Sequence, residues 1–533
     1  MSGRGKLKRL HWPSFTGRDP LIRLLLVCLS FFFFAPAAFV SAQTREQKLD
    51  AVKEFKRFFR KWKGTAERVE SVLDLKRADC PEAVDALVKV LRHKDIEVRE
   101  AARNVLAGYR APATIERMLS GLVEMKDATL RGTFIDVLSR GGSTKLKAVL
   151  REIWEKDRKS LKLQEKFQIA RALKRLGAEG FEDILLALTK DKAFEVRLAA
   201  LDAIGESRLK KMGKDVVPML NDPVWQVQQA AIQALGTIRY QGAVNPLIEK
   251  LKDPGRLKID IAEALFKITT WDFGTNYKLW RKTWDRLSKL EGFRIPTDAE
   301  LAKAKKNREK YDKRYKKGGK KNTFAGIPTT STRVLFVIDV SASMDDLVID
   351  RTKFKGYRSF RKLDIVKTEL SKTVKSLGPN TWFNIIAFAS KIKKWKKFLV
   401  PGTVSYKASA LSFIKSLEPL GTGRGYNATA DGSGKTNTYG ALMAAFDLDP
   451  AKGVVLTGNG KKKALKLDTI YFLTDGRPSI GKYVDIEDIL REVKKINETR
   501  RIVIHCISIG DFEGSFLKRL AQQNGGVFVD LGH

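Results

Sequence analysis

The chain has 533 residues, 43% of them hydrophobic and 30% charged, so it is too long for one ordinary core and too apolar for a disordered chain. Lys and Arg number 101 against 61 Asp and Glu, a formal charge of +40. That excess is silent on fold; it points either to anionic surroundings (acidic protein, polysaccharide, nucleic acid, membrane) or to long helices solvated by basic side chains.

The first 23 residues carry Arg4, Lys6, Lys8, Arg9, Arg18 and Arg23 against one acid, Asp19. Residues 24–40 are then almost wholly apolar (LLLVCLSFFFFAPAAFV), and Val40 and Ala42 stand at the two positions a signal peptidase reads. Residues 1–42 are therefore expected to be an export signal. The alternative is an uncleaved anchor, since seventeen apolar residues just suffice to span a bilayer. Outside this segment only Cys80 and Cys506 remain, in different parts of the chain, which excludes a disulfide framework.

From about 44 to 270 the sequence repeats. Leu106, Leu138, Leu173, Ile204, Leu235 and Leu265 mark equivalent points at spacings of 32, 35, 31, 31 and 30. The phrases around them are alike: EVREAARNVLAGY, EVRLAALDAIGES, WQVQQAAIQALGTI and KIDIAEALFKIT. Each has apolar residues at helical spacing with alanines on the contact face, and most follow a second amphipathic segment that ends in Asp. A helix pair of about 30 residues cannot bury its apolar face alone, so the pairs must stack. The pattern resembles HEAT repeats; the resemblance implies an α-solenoid with a protein-binding surface and no catalysis. Trp271, Trp280 and Trp284 are expected to close the last repeat. Thr297 and Glu300 form a capping-box signature that opens a basic helix ended by Gly318-Gly319. From 303 to 321 there are eleven Lys or Arg against two acids, read as a solvated linker crossed by few contacts rather than a nucleic-acid site. The domain plan is thus 43–275 solenoid, 276–325 Trp-rich cap and linker, and 326–533 a further domain.

In that last part strand-like and helix-like runs alternate, which indicates a parallel or mostly parallel α/β sheet. Strands are expected at 333–340, 382–389, 468–474, 502–509 and 526–531, with an edge strand at 394–399; helices at about 364–377, 405–417, 438–447, 485–499 and 514–523. Function in such sheets gathers at the carboxyl ends of strands where their order switches. The first strand ends in Asp339, Ser341 and Ser343, which alternate and so can face one point. FLTDG puts Asp475 at a neighbouring strand end, and the loop before residue 438 offers Thr436. Two carboxylates and three hydroxyls, without His or Cys, suit Mg²⁺, with Mn²⁺ or Ca²⁺ as substitutes.

The phrases DVSAS, GKTNTYGAL and FLTDG resemble the adhesion-site motifs of von Willebrand A domains. The resemblance covers about residues 330–533 and implies a doubly wound α/β domain with Asp339, Ser341, Ser343, Thr436 and Asp475 as a metal-ion-dependent adhesion site. Lys435 departs from the family's frequent glycine. Three other chemistries fit poorly. Gly434-Lys435-Thr436 lacks the first glycine of a phosphate loop, which Thr429 replaces. A haloacid-dehalogenase-like phosphotransferase needs an acid where Ser341 stands. A serine hydrolase needs a G-x-S-x-G elbow. The sequons at Asn427 and Asn497 matter only in a glycosylating host.

The reading is an exported, non-enzymatic adhesion or assembly protein that binds an acidic protein segment or an anionic polysaccharide through Mg²⁺. The second reading is a repeat scaffold whose metal site is structural. Lys355, Arg358, Arg361, Arg424, Lys435 and Arg477 are expected to make the rim of the site basic.

Overall fold

The computed structural model describes residues 43–287, 293–315, 323–328, 331–420, 434–448, 454–456, 462–464, 467–510 and 514–531. The apolar N-terminal segment, the Gly318-Gly319 helix end, Arg424 and the Asn427 sequon lie outside them. Among the described residues no helix is long and apolar enough to cross a membrane.

Packing divides the chain at Ser120/Gly121 into two compact units. In the first, helices run over Arg45–Lys61, Thr65–Asp74, Pro81–Val90, Ile96–Gly108 and Pro112–Leu119. Proline opens two of them, where its missing N–H costs nothing. Leu75, Leu87, Val98, Ala102 and Leu106 fill its core, and the buried Tyr109 hydroxyl donates to the Leu75 carbonyl at 3.0 Å.

The second unit continues the repeats. Helices α1 (Ala128–Arg140), α2 (Leu163–Leu176), α3 (Phe194–Glu206), α4 (Trp225–Ile238) and α5 (Leu257–Thr269) form a row, each packed on the next. All six leucine or isoleucine markers read from the sequence are buried. Small residues set the spacing within the row: a Cβ on Gly205 would meet Ala234, and one on Gly236 would meet Ala264. Two of the punctuating aspartates clamp the turns that lead into α3 and α4. Asp191 accepts from the Ala193 N–H at 2.9 Å, and Asp222 accepts from the Val224 N–H at 2.8 Å while holding Arg197 through both oxygens. Trp280 and Trp284 are buried beneath the last repeat, and the Trp280 indole donates to the Gly274 carbonyl.

Helix α6 (Asp298–Tyr315) starts on the expected capping box: Thr297 N donates to Glu300 Oε2 at 2.7 Å, and Glu300 N to Thr297 Oγ1 at 3.2 Å. It is not the bare tether expected of so basic a stretch. Arg308 pairs with Glu263 at 2.9 Å and lies 3.8 Å from the centre of the Phe266 ring, because a guanidinium satisfies a carboxylate and an aromatic face together.

The C-terminal part is a sheet of β1 (Arg333–Asp339), β2 (Trp382–Phe388), β3 (Ile392–Lys394), β4 (Val400–Pro401), β5 (Thr469–Thr474), β6 (Val503–Ser508) and β7 (Phe528–Asp530). Its order is β7-β6-β5-β1-β2-β3, parallel except that β3 and β4 run antiparallel to β2. The edge strand is thus Ile392–Lys394 rather than 394–399: the ladder with β2 closes at the Trp395 N–H, which donates to the Ile385 carbonyl at 2.9 Å, and residues 396–399 belong to no strand. Strand side chains alternate between two covered faces. Val334, Phe336 and Ile338 pack towards α7 (Lys362–Ser376) and α8 (Val404–Lys415). Leu335 and Val337 pack towards α9 (Thr438–Phe446), α10 (Ile486–Arg500) and α11 (Ser515–Gln523).

The repeats and the sheet domain touch through the C-terminal end of α10. Arg171 of α2 pairs with Glu498 at 2.9 Å; Arg501 pairs with Asp202 of α3 and donates to Gln233 of α4 at 2.8 Å. Helix α10 runs back from the carboxyl to the amino ends of the parallel strands, so these contacts lie at the opposite end of the sheet from Asp339 and Asp475. Asn497 on the same turn is buried, bonded to the Ile502 carbonyl and to Asn524, which makes it a structural residue rather than a glycan acceptor.

Candidate metal centre

Chain order reverses direction at the β1/β5 pair, since β2 lies on one side of β1 while β5, β6 and β7 lie on the other. The carboxyl ends of these neighbours form the crevice where open α/β sheets bind ligands. Asp339 ends β1, and Asp475 follows β5 directly.

The loops after these strands are held by their own backbones. Asp339 Oδ1 accepts from the Ser341 N–H at 2.8 Å, which turns the chain so that Ser341 and Ser343 fall on the same side, 3.3 Å apart. Ser343 Oγ donates to Asp475 Oδ1 at 2.7 Å. The loop carrying Thr436 is fastened to the other two: Ala342 N donates to the Gly434 carbonyl, Ser479 N to the Thr436 carbonyl, and Thr436 N to Ser479 Oγ, at 2.9–3.1 Å. Gly476 marks where the side chains converge. A Cβ there would stand 3.4 Å from Thr436 Oγ1 and 3.8 Å from Ser343 Oγ, so the missing side chain leaves both hydroxyls uncovered. The structure thus brings Asp339, Ser341, Ser343, Thr436 and Asp475 to one end of the sheet.

Two neighbours were missed in the sequence. Thr474, the last residue of β5, donates its hydroxyl to Asp339 Oδ2 and is fully buried. Lys362, at the start of α7, places its ammonium 2.9 Å from Asp475 Oδ2 and 3.4 Å from the Ser343 carbonyl. Thr474 stood in plain sight in the FLTDG phrase; Lys362 was one of many lysines.

Electrostatics describe a site short of positive charge. Asp339 has no exposed surface, and burial, reinforced by the neighbouring Asp475 carboxylate, pushes its carboxyl up to about 7 despite donors from Thr474 and Ser341. Two buried carboxylates with hydroxyls around them, and one ammonium to offset them, suit a hard dication. Among the described residues there is no group of three or more His, Cys, Asp or Glu that could hold a metal, so a transition-metal cage is not built here. The chemistry of these side chains fits Mg²⁺, which Asp339, Ser341, Ser343, Thr436 and Asp475 would hold.

The surrounding surface keeps most of the described residues of the expected basic rim exposed. Lys355, Arg358, Lys435 and Arg477 are exposed. Arg361, however, is drawn into ion pairs with Asp345 and Glu418, and Lys362 points inward. What the sequence reading overlooked is apolar. Leu347 and Ile349, in the loop after Ser343, and Ile480 and Val484, in the loop after Asp475, are exposed by 51, 67, 36 and 48%. Ile480 sits on the site itself, its N–H directed at the Thr436 carbonyl.

Comparison with known proteins agrees with this architecture. The family model for the von Willebrand factor type A domain matches residues 334–477, and that for the HEAT repeat matches residues 215–238. Human inter-alpha-trypsin inhibitor heavy chain H4 is 28% identical over 208 residues, covering 38% of this chain and 18% of that one. The mouse heavy chain 4 is 30% identical over 205 residues with the same coverages, and human heavy chain H2 is 27% identical over 230 residues, covering 41% and 21%. The matched stretch thus spans only 18–21% of these relatives' length. A solved structure of the PilB minor pilin from Streptococcus sanguinis aligns with a TM-score of 0.27 at 17% identity, covering 38% of this chain and 57% of that one, too low to carry an argument. A type A domain supports a protein-interaction or adhesion role in general and is not generally an enzymatic module. The chain thus carries a von Willebrand factor type A domain at residues 334–477 and a HEAT repeat at residues 215–238.

Proposed function

We propose that this is an exported interaction protein whose type A domain binds an acidic protein segment through Mg²⁺ held by Asp339, Ser341, Ser343, Thr436 and Asp475. The observation that carries the reading is the meeting of these five side chains at the switch point, with two buried carboxylates and a single nearby ammonium. A bound Mg²⁺ would supply an electrophilic position for a partner's carboxylate. The choice of protein over anionic polysaccharide rests on Leu347, Ile349, Ile480 and Val484. Four exposed aliphatic side chains in the two loops flanking the site gain from covering by other apolar side chains, which a uronic-acid polymer lacks. Lys355 and Arg358 add charge that steers an acidic partner and makes association sensitive to salt. Export rests on residues 1–42 of the sequence.

Asp475→Ala should lose Mg²⁺ binding in calorimetry by roughly tenfold or more while its circular dichroism stays native. Wild-type chain should capture its partner from an extracellular fraction with Mg²⁺ and release it to chelator, and Asp475→Ala should capture none. Unchanged Mg²⁺ affinity in that variant would overturn the site. Capture that survives chelation would overturn the metal's role in binding.

A further inference from the structure

Lys362 occupies a built position. Its side chain is 11% exposed, and its ammonium lies 2.9 Å from an oxygen of the fully buried Asp475 carboxylate, 3.4 Å from the Ser343 carbonyl and 3.7 Å from Asp346. The backbone fixes where the lysine starts: Lys362 N donates to the Asp346 carbonyl at 2.9 Å, tying the first residue of α7 to the loop after Ser343. Opposite, Gly510 leaves the space open, since a Cβ there would come within 3.3 Å of the ammonium and 3.2 Å of Asp475 Cβ. A lysine at a helix start could have turned to solvent, as Lys355 does. This one is buried against a carboxylate, a carbonyl and a glycine.

The charge count around the crevice follows. Among the buried groups, Asp339 and Asp475 carry two negative charges when ionised and Lys362 returns one, so an entering dication meets a buried net charge of −1, with the largely exposed Asp346 adding a solvent-screened charge at the edge. Asp475 is also committed on both oxygens, to Ser343 Oγ on one and to Lys362 on the other. We infer that Lys362 is an internal counter-ion that competes with the divalent cation for Asp475, so that the centre holds Mg²⁺ weakly alone and more tightly once a partner's carboxylate supplies the missing negative charge. The inference rests on the metal reading above and adds a residue which that reading does not need. It makes metal and acidic partner mutually dependent, because each raises the other's affinity by the same factor. Lys362 is a positioning residue: it touches a ligand-bearing side chain rather than the partner.

The test is Mg²⁺ calorimetry at low ionic strength on the full chain, with thermal unfolding in chelator and in Mg²⁺. Lys362→Met removes the charge while keeping the stem, and should bind Mg²⁺ roughly tenfold or more tightly, the effect of one charge a few ångströms from a carboxylate. In chelator it should melt below wild type, because Asp475 is then buried without a cation, and Mg²⁺ should restore most of the deficit. A merely structural lysine would give a deficit that Mg²⁺ does not repair. Lys362→Arg should stay near wild type in affinity. Lys362→Gln, which keeps a donor for Asp475 without charge, guards against misfolding of the methionine variant and should also tighten binding. If wild type binds Mg²⁺ and neither uncharged variant binds it more tightly, the counter-ion role is wrong while the metal site stands. If none of them binds Mg²⁺, both are wrong.

Discussion

Asp339 shows how one residue gathers its surroundings. It is buried at a strand end, and the two hydrogen bonds it accepts from Ser341 and Thr474 offset only part of the cost of placing a carboxylate there. Thr474→Val keeps the shape of the buried side chain and removes the hydroxyl. Asp339 Oδ2 then loses its donor, and chemical denaturation in chelator should show a loss of about 1–3 kcal/mol. Mg²⁺ should recover part of it, and a variant as stable as wild type would mean that Asp339 finds another donor. That Asp339, Ser341, Ser343, Thr436 and Asp475 meet at one end of the sheet was legible because strand alternation and the phrases DVSAS, GKTNTYGAL and FLTDG place them at neighbouring strand ends and the loop between. Lys362 was not. Its role depends on the length of the loop from Ser343 to α7 and on an empty space at Gly510, and neither has a local signature in sequence. The apolar side chains beside the site escaped for a related reason: exposure is a property of the folded surface, and an isoleucine in a loop reads the same whether covered or bare.

Among the elements, the helices of the repeat row were the most legible, because their apolar period and their alanine faces recur at about 30-residue intervals. All six markers are buried as the repeat required. The short edge strand was placed a few residues late, since its lysine-rich sequence has no apolar alternation to fix its register and only pairing with β2 defines it. How closely the helices approach was hidden until Gly236 could be placed. A Cβ there would lie 2.9 Å from both Cα and Cβ of Ala264, so α4 and α5 touch backbone to side chain with no flexible atom to give way. Gly236→Ala should therefore destabilise by about 1–3 kcal/mol, which exceeds the gain of about 1 kcal/mol in helix propensity. Gly108→Ala is the control, since nothing lies within 4 Å of its added Cβ and it sits at the end of a helix. It should be neutral or slightly stabilising in the same urea titration. Equal losses at the two positions would show that helix strain, not packing, governs the row.

For the whole molecule, the question is whether the basic connector alone joins the repeats to the type A domain. Its composition suggested that it does, and that cutting it would release two independent pieces. The contacts at the end of α10 argue otherwise. Arg501 adopts a left-handed backbone (φ 57°) as the C-cap of α10, which aims its guanidinium at Asp202 and Gln233, and both partners of the Arg501–Asp202 pair are nearly buried. Arg171–Glu498 adds a second pair from the neighbouring helix, and Arg308 fastens the connector to α5. Such partly buried charge pairs resist salt better than surface ones. Trypsin should still cut at the exposed Lys305 and Lys306. The nicked wild-type chain, however, should elute from a sizing column as one species. Arg501→Gly is a clean probe, because glycine takes the left-handed backbone without strain and only the guanidinium is lost. Combined with Arg171→Ala, it removes both pairs without touching the sheet core or the metal centre. After the same digestion the double variant should separate into a repeat fragment and a type A fragment, each retaining its circular dichroism. If the nicked wild-type chain already separates at low salt, the contacts at α10 are too weak to hold the two parts, and the connector is the only joint.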